Sequence, residues 1–265
     1  MTDQTKETQT VTDVMDPARA AALWAALDLP DDGRAVLPPF FHQMYFWDAQ
    51  PPGALGRDGH PRVGGVIPDM GLPRRMWAGG RLEFLAPLCT GAEAHKVTRV
   101  VSFVRKQGRT GPLGFVTLCH EVLQGGHVTV REHQDLVYRE DPDPSAPAPQ
   151  SRLARMDEDC AEAWSFSSTL LFRYSALTFN GHRIHYDLDY CRDVEGYGGL
   201  VVHGPLLAQL LILKAERELG PLTGFSFRAT APVLHMQGAE LCRKGDALWV
   251  RGHDGRLCME AMAQV

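Results

Sequence analysis

The most regular hydrophobic pattern of the chain lies in residues 205–219. Leucine and isoleucine face nearly every side of the first half of this segment, and residues 214–218 at its end are mostly charged. Gly204 precedes the segment, Pro205 is its first residue, and Gly220-Pro221 follows it. Glycine and proline are common in these positions at the starts and ends of helices. The pattern therefore predicts a helix with Gly204 at its N-cap, a buried first half and an exposed charged end.

Segments with alternating or β-branched residues lie on both sides of this helix in the sequence. Four precede it and predict an antiparallel meander over 81–87, 95–106, 114–123 and 126–138. Four more follow it and predict strands over 224–234, 239–243, 247–252 and 256–265. One long buried helix among antiparallel strands predicts a fold of the α+β class.

The remaining segments have weaker patterns. Asp16-Pro17 predicts the start of a short helix, with Asp16 as its N-cap. Residues 36–80 are rich in glycine, proline and aromatic residues without a clear period, which predicts a loop packed over a core. Residues 164–173 predict a strand that leads into a short helix near Leu177, and residues 188–199 predict irregular structure.

A proline-rich stretch marks the predicted domain boundary. Four of the ten residues from Asp141 to Gln150 are proline, which excludes a helix or a central strand there. A similarity between residues 81–93 and 225–240, each followed by strands, indicates two copies of one domain. We expect a disordered tail over 1–12, a first domain over 13–140, a linker over 141–151 and a second domain over 152–265.

Composition narrows the classes of function. The 265 residues carry a net charge of -5, which gives no electrostatic reason to expect nucleic acid or an anionic membrane as a partner. No apolar stretch approaches the roughly 20 residues that span a bilayer, and residues 1–12 lack the apolar core of a secretory signal. The six cysteines form no CxxC pair, which favours reduced thiols. A cytoplasmic protein is therefore expected.

The residues best suited to chemistry are concentrated in a polar turn before the long helix. Five of them fall within eight positions: Asn180, His182, Arg183, His185 and Asp187. His203 and Gly204 then lead into the helix. A histidine-rich turn followed by a glycine-led helix start is typical of a reaction centre. The alternative is a zinc site with the ligands His182, His185, Asp187 and Cys191.

Three segments of the second domain carry a further signal. They run from Ala176-Leu177-Thr178 to His185-Tyr186-Asp187, from Val202-His203-Gly204 to Leu207, and from Phe227-Arg228-Ala229 to Val233. In order and spacing they resemble the MaoC-like hot-dog hydratases and dehydratases. The wider layout resembles the branch with mesaconyl-C4-CoA hydratases, itaconyl-CoA hydratases and mitochondrial-type 3-hydroxyacyl-thioester dehydratases. The resemblance implies a double hot-dog fold with a degenerate N-terminal copy and a catalytic C-terminal copy.

The resemblance also implies a reaction, the reversible addition of water to an α,β-unsaturated acyl-CoA thioester. It implies His185 as the proton shuttle, a role that suits an imidazole with a pKa near 6.5. It implies the Gly204 N–H, at the helix start, as the donor to the thioester oxygen. Asn180 would hold the water, or alternatively it only favours a left-handed turn before Gly181. No cofactor is expected, because CoA is part of the substrate.

One position departs from the family pattern. The wider group has an aspartate five residues before its histidine, where this chain has Asn180. An amide can hold water but cannot take its proton. Either His185 carries the proton alone, or another carboxylate, of which Asp187 is the nearest in sequence, reaches the site.

Further residues are expected to contact the substrate: His182, Arg183, Arg173, His203, Arg74 and Arg75. An arginine can pair with a carboxylate or with a CoA phosphate through two parallel donors. The arginines and the long polar turn favour a short branched dicarboxylic substrate, such as mesaconyl-C4-CoA or itaconyl-CoA, giving citramalyl-CoA. The alternatives are a 3-hydroxyacyl-thioester dehydratase of fatty-acid synthesis, a non-catalytic acyl-CoA-binding protein and a thioesterase. A homodimer is left open.

Overall fold

The structure, a computed structural model, describes residues 7–31, 33–63, 66–108, 111–141 and 151–265. Packing divides the chain into two units. The first unit contains Met1–Leu37 and Phe41–Asp141, and the second contains Pro38–Phe40 and Pro142–Val265. The division falls at the start of the predicted linker, most of which, residues 142–150, lies outside the described residues.

The described part of the first unit contains a five-stranded antiparallel sheet. Its strands are β1 (Thr8–Val14), β2 (Arg74–Phe84), β3 (Glu93–Gly108), β4 (Gly111–Gln124) and β5 (His127–Arg139). They lie in the order β1-β3-β4-β5-β2. The neighbouring strands β3, β4 and β5 confirm three strands of the predicted meander. The prediction is wrong for its first strand, 81–87, because residues 81–84 belong to β2, which pairs with β5 rather than with β3. The sheet is accompanied by helix α1 (Pro17–Leu27), which Asp16 caps as predicted by accepting from Ala18 N at 2.9 Å.

Two predictions for the first half are wrong. Residues 8–12, expected in a disordered tail, form most of β1, where Thr8 lies opposite Arg99 on β3. Their sequence alternates threonine with other residues, and threonine is common in strands because of its branched Cβ. Residues 74–80, expected in a loop, begin β2. Residues 1–6 of the predicted tail lie outside the described residues.

The second unit repeats the strand order of the first. Its strands are β6 (Cys160–Trp164), β7 (Gly224–Ala229), β8 (Ala239–Lys244), β9 (Ala247–Gly252) and β10 (Leu257–Gln264). They lie in the order β6-β8-β9-β10-β7. In both units the sequence order across the sheet is therefore first, third, fourth, fifth and second strand, as expected for two copies of one domain.

The helices of the second unit are α2 (Ser168–Thr178), α3 (Leu188–Asp193) and α4 (Gly204–Leu219). The predicted strand over 164–173 is wrong beyond Trp164, because Ser167 caps α2 by accepting from Leu170 N at 3.1 Å. The segment 188–199 is not irregular throughout. Its first six residues form α3, whose first turn is capped by the Asp187 carboxylate at 3.0 Å from Tyr190 N.

Helix α4 is the predicted long helix, and it packs against strands β7 to β10. Its apolar first half is buried as expected, with 0–3% exposure at Leu206, Leu207, Leu210, Leu211 and Ile212. Its N-cap is His203 rather than Gly204, which is the first helical residue. The prediction of an exposed charged end is wrong for Lys214. This side chain is buried, because its Nζ pairs with Glu218 Oε1 at 2.7 Å.

The first unit lacks a counterpart of α4 within its described residues. Its helix α1 has 11 residues, against 16 in α4, and only short 3-10 turns follow it at Phe41–Met44 and Pro52–Ala54. This agrees with the expected degenerate N-terminal copy. All six cysteines of the chain are free. None of the helices that the structure describes combines the length and the apolar character that a membrane-crossing helix needs.

Candidate active site

His185 lies in a buried position near the end of the polar turn. Helix α2 ends with Phe179 in the left-handed conformation (φ 52°), and a 3-10 turn over Arg183–His185 follows. The His185 ring is 5% exposed, and its Nδ1 lies 2.7 Å from the Val201 carbonyl oxygen. Because a carbonyl only accepts, Nδ1 carries the proton and donates this hydrogen bond. The neutral ring therefore has its lone pair on Nε2, the form that a general base needs.

His203 supports the His185 ring from one side. The two rings are stacked, with centroids 3.6 Å apart and planes inclined by 20°. His203 is fully buried, and its Nε2 lies 2.9 Å from Ser175 Oγ. Burial, and then the proximity of His185 and His182, lower the pKa of His203 well below its ordinary 6.5. His203 is therefore a neutral support at pH 7 and adds no charge beside His185.

The tautomer of His203 follows from its hydrogen bonds. Its Nδ1 is buried and has no hydrogen-bond partner within the described residues. A buried N–H without a partner is rarer in proteins than an acceptor with an unused lone pair. The proton is thus placed on Nε2, which donates to Ser175 Oγ.

His182 completes a cluster of three histidines. Its ring meets the His185 ring edge to face, with centroids 5.5 Å apart and an angle of 85°, and the side chain is buried. The fold thus brings together His182, His185 and His203, which the sequence separates by up to 21 positions. The central ring of the cluster is His185, which contacts both of the others.

Gly204 offers a backbone donor next to this cluster. It is the first residue of α4 and follows His203 directly. The first N–H groups of a helix have no partner inside it, and no partner of the Gly204 N–H is found within the described residues. Pro205 has no N–H, so Gly204 is the natural donor at this helix end. Its role as an oxyanion donor stays a prediction that this geometry favours.

Among the residues that the structure describes, the Asn180 side chain forms a hydrogen bond through its amide oxygen but not through its amide nitrogen. Its Oδ1 accepts from His182 N at 3.0 Å, whereas its Nδ2 has no hydrogen-bond partner within the described part of the chain. The alternative of a left-handed Asn180 is wrong, because Phe179 is the residue with positive φ in this turn. The amide nitrogen is consequently available to hold a water molecule, and this role also stays a prediction.

Asp187 is committed to structure and does not supply the missing carboxylate. Its Oδ1 accepts from Tyr190 N at 3.0 Å, and its Oδ2 accepts from Arg183 at 2.7 Å. The hydrogen bond from Tyr190 N, followed by that from Arg183, lowers the pKa of Asp187 below its ordinary value. A carboxylate held in its charged form by these partners is a poor proton shuttle near pH 7.

The four side chains of the alternative zinc site point to different partners. Cys191 Sγ donates to the Ile184 carbonyl at 3.0 Å, and burial raises the pKa of this thiol to about 11. His185 Nδ1 is bonded to Val201. Among the described residues, this set does not form a group of donor atoms at metal-binding distances. The spacing in the sequence misleads here, because the Cys191 thiol, His185 Nδ1 and the Asp187 carboxylate are each engaged by other groups of the protein.

The predicted arginines occupy different environments. Arg183 pairs with Asp187, and its guanidinium lies 4.3 Å from the Tyr190 ring centroid. Arg173 lies on the exposed face of α2, and no acid pairs with it within the described residues. Arg74 and Arg75 belong to the first unit, where they begin β2; Arg74 is 6% exposed and Arg75 is partly buried.

Three partners of the histidine cluster are missed by sequence reasoning. Ser175 bonds to His203 from 28 positions away, and the Val201 carbonyl bonds to His185 from 16 positions away. The Tyr174 ring packs edge to face on His203, with centroids 4.9 Å apart. Ser175 and Tyr174 sit next to each other on the buried side of α2, and only this helical placement, not a motif, distinguishes them.

The chain is similar to known proteins over most of its length. The sequence matches the family described as hydroxyacyl-thioester dehydratase type 2 over residues 40–235. It is 40% identical over 269 aligned positions to mesaconyl-C(4)-CoA hydratase of Chloroflexus aurantiacus, with 97% of this chain and 95% of that protein covered.

Solved structures show the fold. HtdX of Mycobacterium tuberculosis aligns with a TM-score of 0.69 at 20% identity and covers 97% of this chain and 99% of its own. A second M. tuberculosis protein, described as having a double hotdog fold, aligns with a TM-score of 0.61 at 14% identity, with 98% and 96% covered. The predicted double hot-dog fold of the α+β class is confirmed. The chain therefore belongs to the hydroxyacyl-thioester dehydratase type 2 family, and it is a hydro-lyase.

Proposed function

We propose that this protein adds water reversibly to mesaconyl-C4-CoA and so forms citramalyl-CoA. The observation that carries the chemistry is the fixed tautomer of His185, with Nδ1–H on the Val201 carbonyl and the lone pair on Nε2. The choice of substrate is supported by the 40% identity to a mesaconyl-C(4)-CoA hydratase over nearly the whole chain. Itaconyl-CoA is the closest chemical alternative, because it is also a branched dicarboxylic enoyl thioester.

The first step removes a proton from water. Asn180 Nδ2 is proposed to hold the water, and His185 Nε2 takes its proton while the oxygen attacks C3, the carbon β to the thioester. General base assistance of this kind is worth roughly 10²–10⁴ in rate. His203 remains neutral throughout, so the imidazolium formed at His185 has no fully charged neighbour stacked on it.

The second step concerns the charge and the proton. As the C–O bond forms, the electron pair of the double bond moves onto the thioester and places negative charge on its oxygen. The Gly204 N–H at the positive end of α4 is proposed to donate to that oxygen. The imidazolium of His185 then returns its proton to C2, so that water is added across the double bond and the ring is neutral again.

An arginine is proposed to recognise the second carboxylate of the substrate. The Nε and Nη2 edge of Arg183 already contacts the Asp187 carboxylate, so this edge is not available to a substrate while that ion pair is kept. Arg173 is not paired with an acid within the described residues, and it is the better candidate in the second unit. A carboxylate on the substrate would give it a bidentate partner.

The test is the loss of enoyl-thioester absorbance with purified protein. Mesaconyl-C4-CoA, itaconyl-CoA, crotonyl-CoA and a long-chain enoyl-CoA are compared for the wild type, His185→Ala and the control His253→Ala, whose histidine is exposed in the turn after β9. We expect turnover of the dicarboxylic substrates, lost in His185→Ala and kept in His253→Ala. Absence of turnover together with acyl-CoA binding would contradict the proposal and leave a non-catalytic binding protein.

A second candidate is the dehydration of 3-hydroxyacyl thioesters in fatty-acid synthesis. It is favoured by the family match, whose description names that activity. Preference for the long-chain enoyl-CoA in the same panel would establish it instead. Activity after treatment with a chelator is expected to be unchanged, because the proposed chemistry uses no cofactor beyond the CoA of the substrate.

Location and assembly are also part of the proposal. Six free cysteines and the absence of a membrane-crossing helix among the described residues support a reducing, cytoplasmic location. A homodimer stays open, and size-exclusion chromatography with light scattering would decide between one and two copies of the chain.

A further inference from the structure

A second buried polar cluster lies in the first unit, with Glu132 at its centre. The Glu132 side chain on β5 is 2% exposed. His42 Nε2 and Gln43 Nε2 lie 3.0 Å and 2.6 Å from its Oε2. Its Oε1 has no hydrogen-bond partner within the described residues. One carboxylate oxygen is thus held by two side chains, and the other is left open.

A cavity of about 130 Å³ lies beside this carboxylate. Lys96 on β3 lines the same cavity, and its Nζ lies 5.6 Å from the Phe46 ring centroid. No hydrogen bond or ion pair of the Lys96 ammonium is found in the part of the chain that the structure describes. Burial, opposed by the charges of Glu132 and Asp48, lowers the pKa of Lys96 below its ordinary value. The Lys96 ammonium and the Glu132 carboxylate therefore line one small cavity, and no direct ion pair joins them within the described residues.

The other titratable groups around the cavity add no further open charge. His120 lies 2.8 Å from Thr98 Oγ1 through Nδ1 and 3.1 Å from Gln134 Oε1 through Nε2. Burial lowers the pKa of His120 to about 4, so its ring is neutral at pH 7. His42 is used in holding Glu132 Oε2. Burial alone would raise the pKa of Glu132, but several causes, among them the hydrogen bond from His42 and the charge of Lys96, together lower it below its ordinary value, and the carboxylate is ionised.

Buried charges are stable only when they have partners. We propose that this cavity is a binding site for a small zwitterionic amine-carboxylate, an amino acid with a short side chain, whose ammonium group donates to Glu132 Oε1 and whose carboxylate accepts from Lys96 Nζ. The site uses residues of the first unit only and is separate in its residues from the histidine cluster of the second unit.

The charges of Glu132 and Lys96 favour a zwitterion over similar molecules that carry only one charged group. An ammonium group forms a charge-assisted hydrogen bond with a carboxylate, which is about twice as strong as a neutral one. A hydroxy acid would add a negative charge next to Glu132 without balancing it, and a simple amine would add a positive charge next to Lys96. A zwitterion satisfies both groups and leaves the net charge of the cavity unchanged. The volume holds roughly four water molecules, or one small organic molecule in their place.

The test is calorimetric titration of the full-length protein with four probes of similar size. L-Alanine carries both groups, L-lactate replaces the amine by a hydroxyl, propanoate lacks it, and ethylamine lacks the carboxylate. We expect saturable binding of L-alanine and binding of each other probe weaker by roughly ten-fold or more, the loss expected for one charge-assisted hydrogen bond. The readout is independent of turnover, so its failure does not depend on the proposed hydratase activity.

Two variants and a matched control locate the site. Lys96→Met removes the charge and keeps the length of the side chain, and Glu132→Gln removes the open carboxylate oxygen. Lys106→Met is the control, because Lys106 is also on β3 and also lies over an aromatic ring, Phe115, but it is exposed and outside the cavity. We expect L-alanine binding to be lost in the first two variants and kept in the control.

Three outcomes would overturn the proposal. Equal binding of L-lactate and L-alanine would show that the amine is not recognised. Binding of L-alanine that survives Lys96→Met would place it elsewhere on the protein. Absence of binding by all four probes would show that the cavity holds water only. If Glu132→Gln does not fold, Lys96→Met still decides between these outcomes.

Discussion

At the scale of single residues, the site depends on which histidine nitrogen carries the proton. The Val201 carbonyl fixes the proton of His185 on Nδ1, and the buried Nδ1 of His203, without a partner in the described residues, places the proton of that ring on Nε2. The low pKa of His203 keeps the stacked ring neutral. His185 can therefore gain and lose a proton without a second ring competing for it.

Asn180 allows a sharp test of how the water is held. Asn180→Asp keeps the Oδ1 that accepts from His182 N, and so it should preserve the turn, but it removes the amide donors. Losing one hydrogen bond to water is worth up to about 1.5 kcal/mol, so we expect kcat to fall by up to about ten-fold with little change in KM. Steady-state kinetics on the preferred enoyl-CoA would measure this.

Asn180→Ala is the companion variant, because it loses both amide atoms and should lower the melting temperature as well as kcat. Higher activity in Asn180→Asp than in the wild type would contradict the role given to the amide. In that case the site would use a carboxylate at this position as a base.

Single residues also show which contacts of the site can be predicted from the sequence and which cannot. Asn180, His182 and His185 are close in the sequence and form one turn, so their proximity could be predicted from spacing alone. The contacts of Ser175 and Val201 could not, because they join residues 28 and 16 positions apart and depend on how α2 and the segment before α4 pack. The burial of Lys214 has a different origin. A charged helix end predicts exposure, but its partner Glu218, four positions away on the same helix, makes burial of the charge possible.

At the scale of elements, the start of α4 is the part that the proposed mechanism uses. His203 at the N-cap has φ −59° and ψ 129°, a conformation that a following proline tolerates. Proline is also favoured at the first position of a helix. Gly204→Pro therefore removes one N–H at a helix position that favours proline.

We expect Gly204→Pro to lower kcat by about 10²–10³, the loss typical of one oxyanion donor. Its thermal unfolding midpoint should stay close to that of the wild type, which calorimetry would check. A variant that folds normally and keeps wild-type kcat would show that another group receives the charge on the thioester oxygen.

The elements differ in how well the sequence predicts them. Helix α4 and the later strands were found because their apolar period is strong and glycine or proline marks their ends. Helix α3 was missed because it has six residues and depends on one cap, Asp187. Strand β1 was missed because polar threonines alternate with other residues, and only pairing with β3 stabilises it.

At the scale of the whole molecule, the two units have the same strand order but contain different buried groups. The second unit holds a long buried helix whose start is next to three histidines. The first unit, in its described part, holds a cavity lined by charged and polar side chains instead. The sheet of this unit also carries an apolar core, formed by Met70, Val100, Val116, Leu118, Leu136 and Tyr138, so the polar cavity is one part of its interior.

Each unit contains a histidine that resists protonation, the partly buried His120 in the first and the fully buried His203 in the second, and this makes the protein sensitive to acid. The folded pKa of His120 is about 4, and that of His203 is well below 6.5. The unfolded chain takes up protons at these residues near pH 6.5, whereas the folded chain does not. Because the unfolded state then binds more protons, the free energy of unfolding must fall as the pH decreases from 6.5 towards 4.

The size of this effect can be measured on His120. A shift from 6.5 to about 4 corresponds to roughly 3 kcal/mol at about 1.36 kcal/mol per pH unit. We expect urea unfolding to show this loss between about pH 6.5 and about pH 4.5 in the wild type, and a smaller slope in His120→Gln, which retains donors and acceptors for Thr98 and Gln134. His127→Gln, at an exposed position at the start of β5, should keep the wild-type slope. An unchanged slope in His120→Gln would mean that His120 is already protonated in the folded protein, and the neutral cavity wall inferred for the first unit would then be wrong.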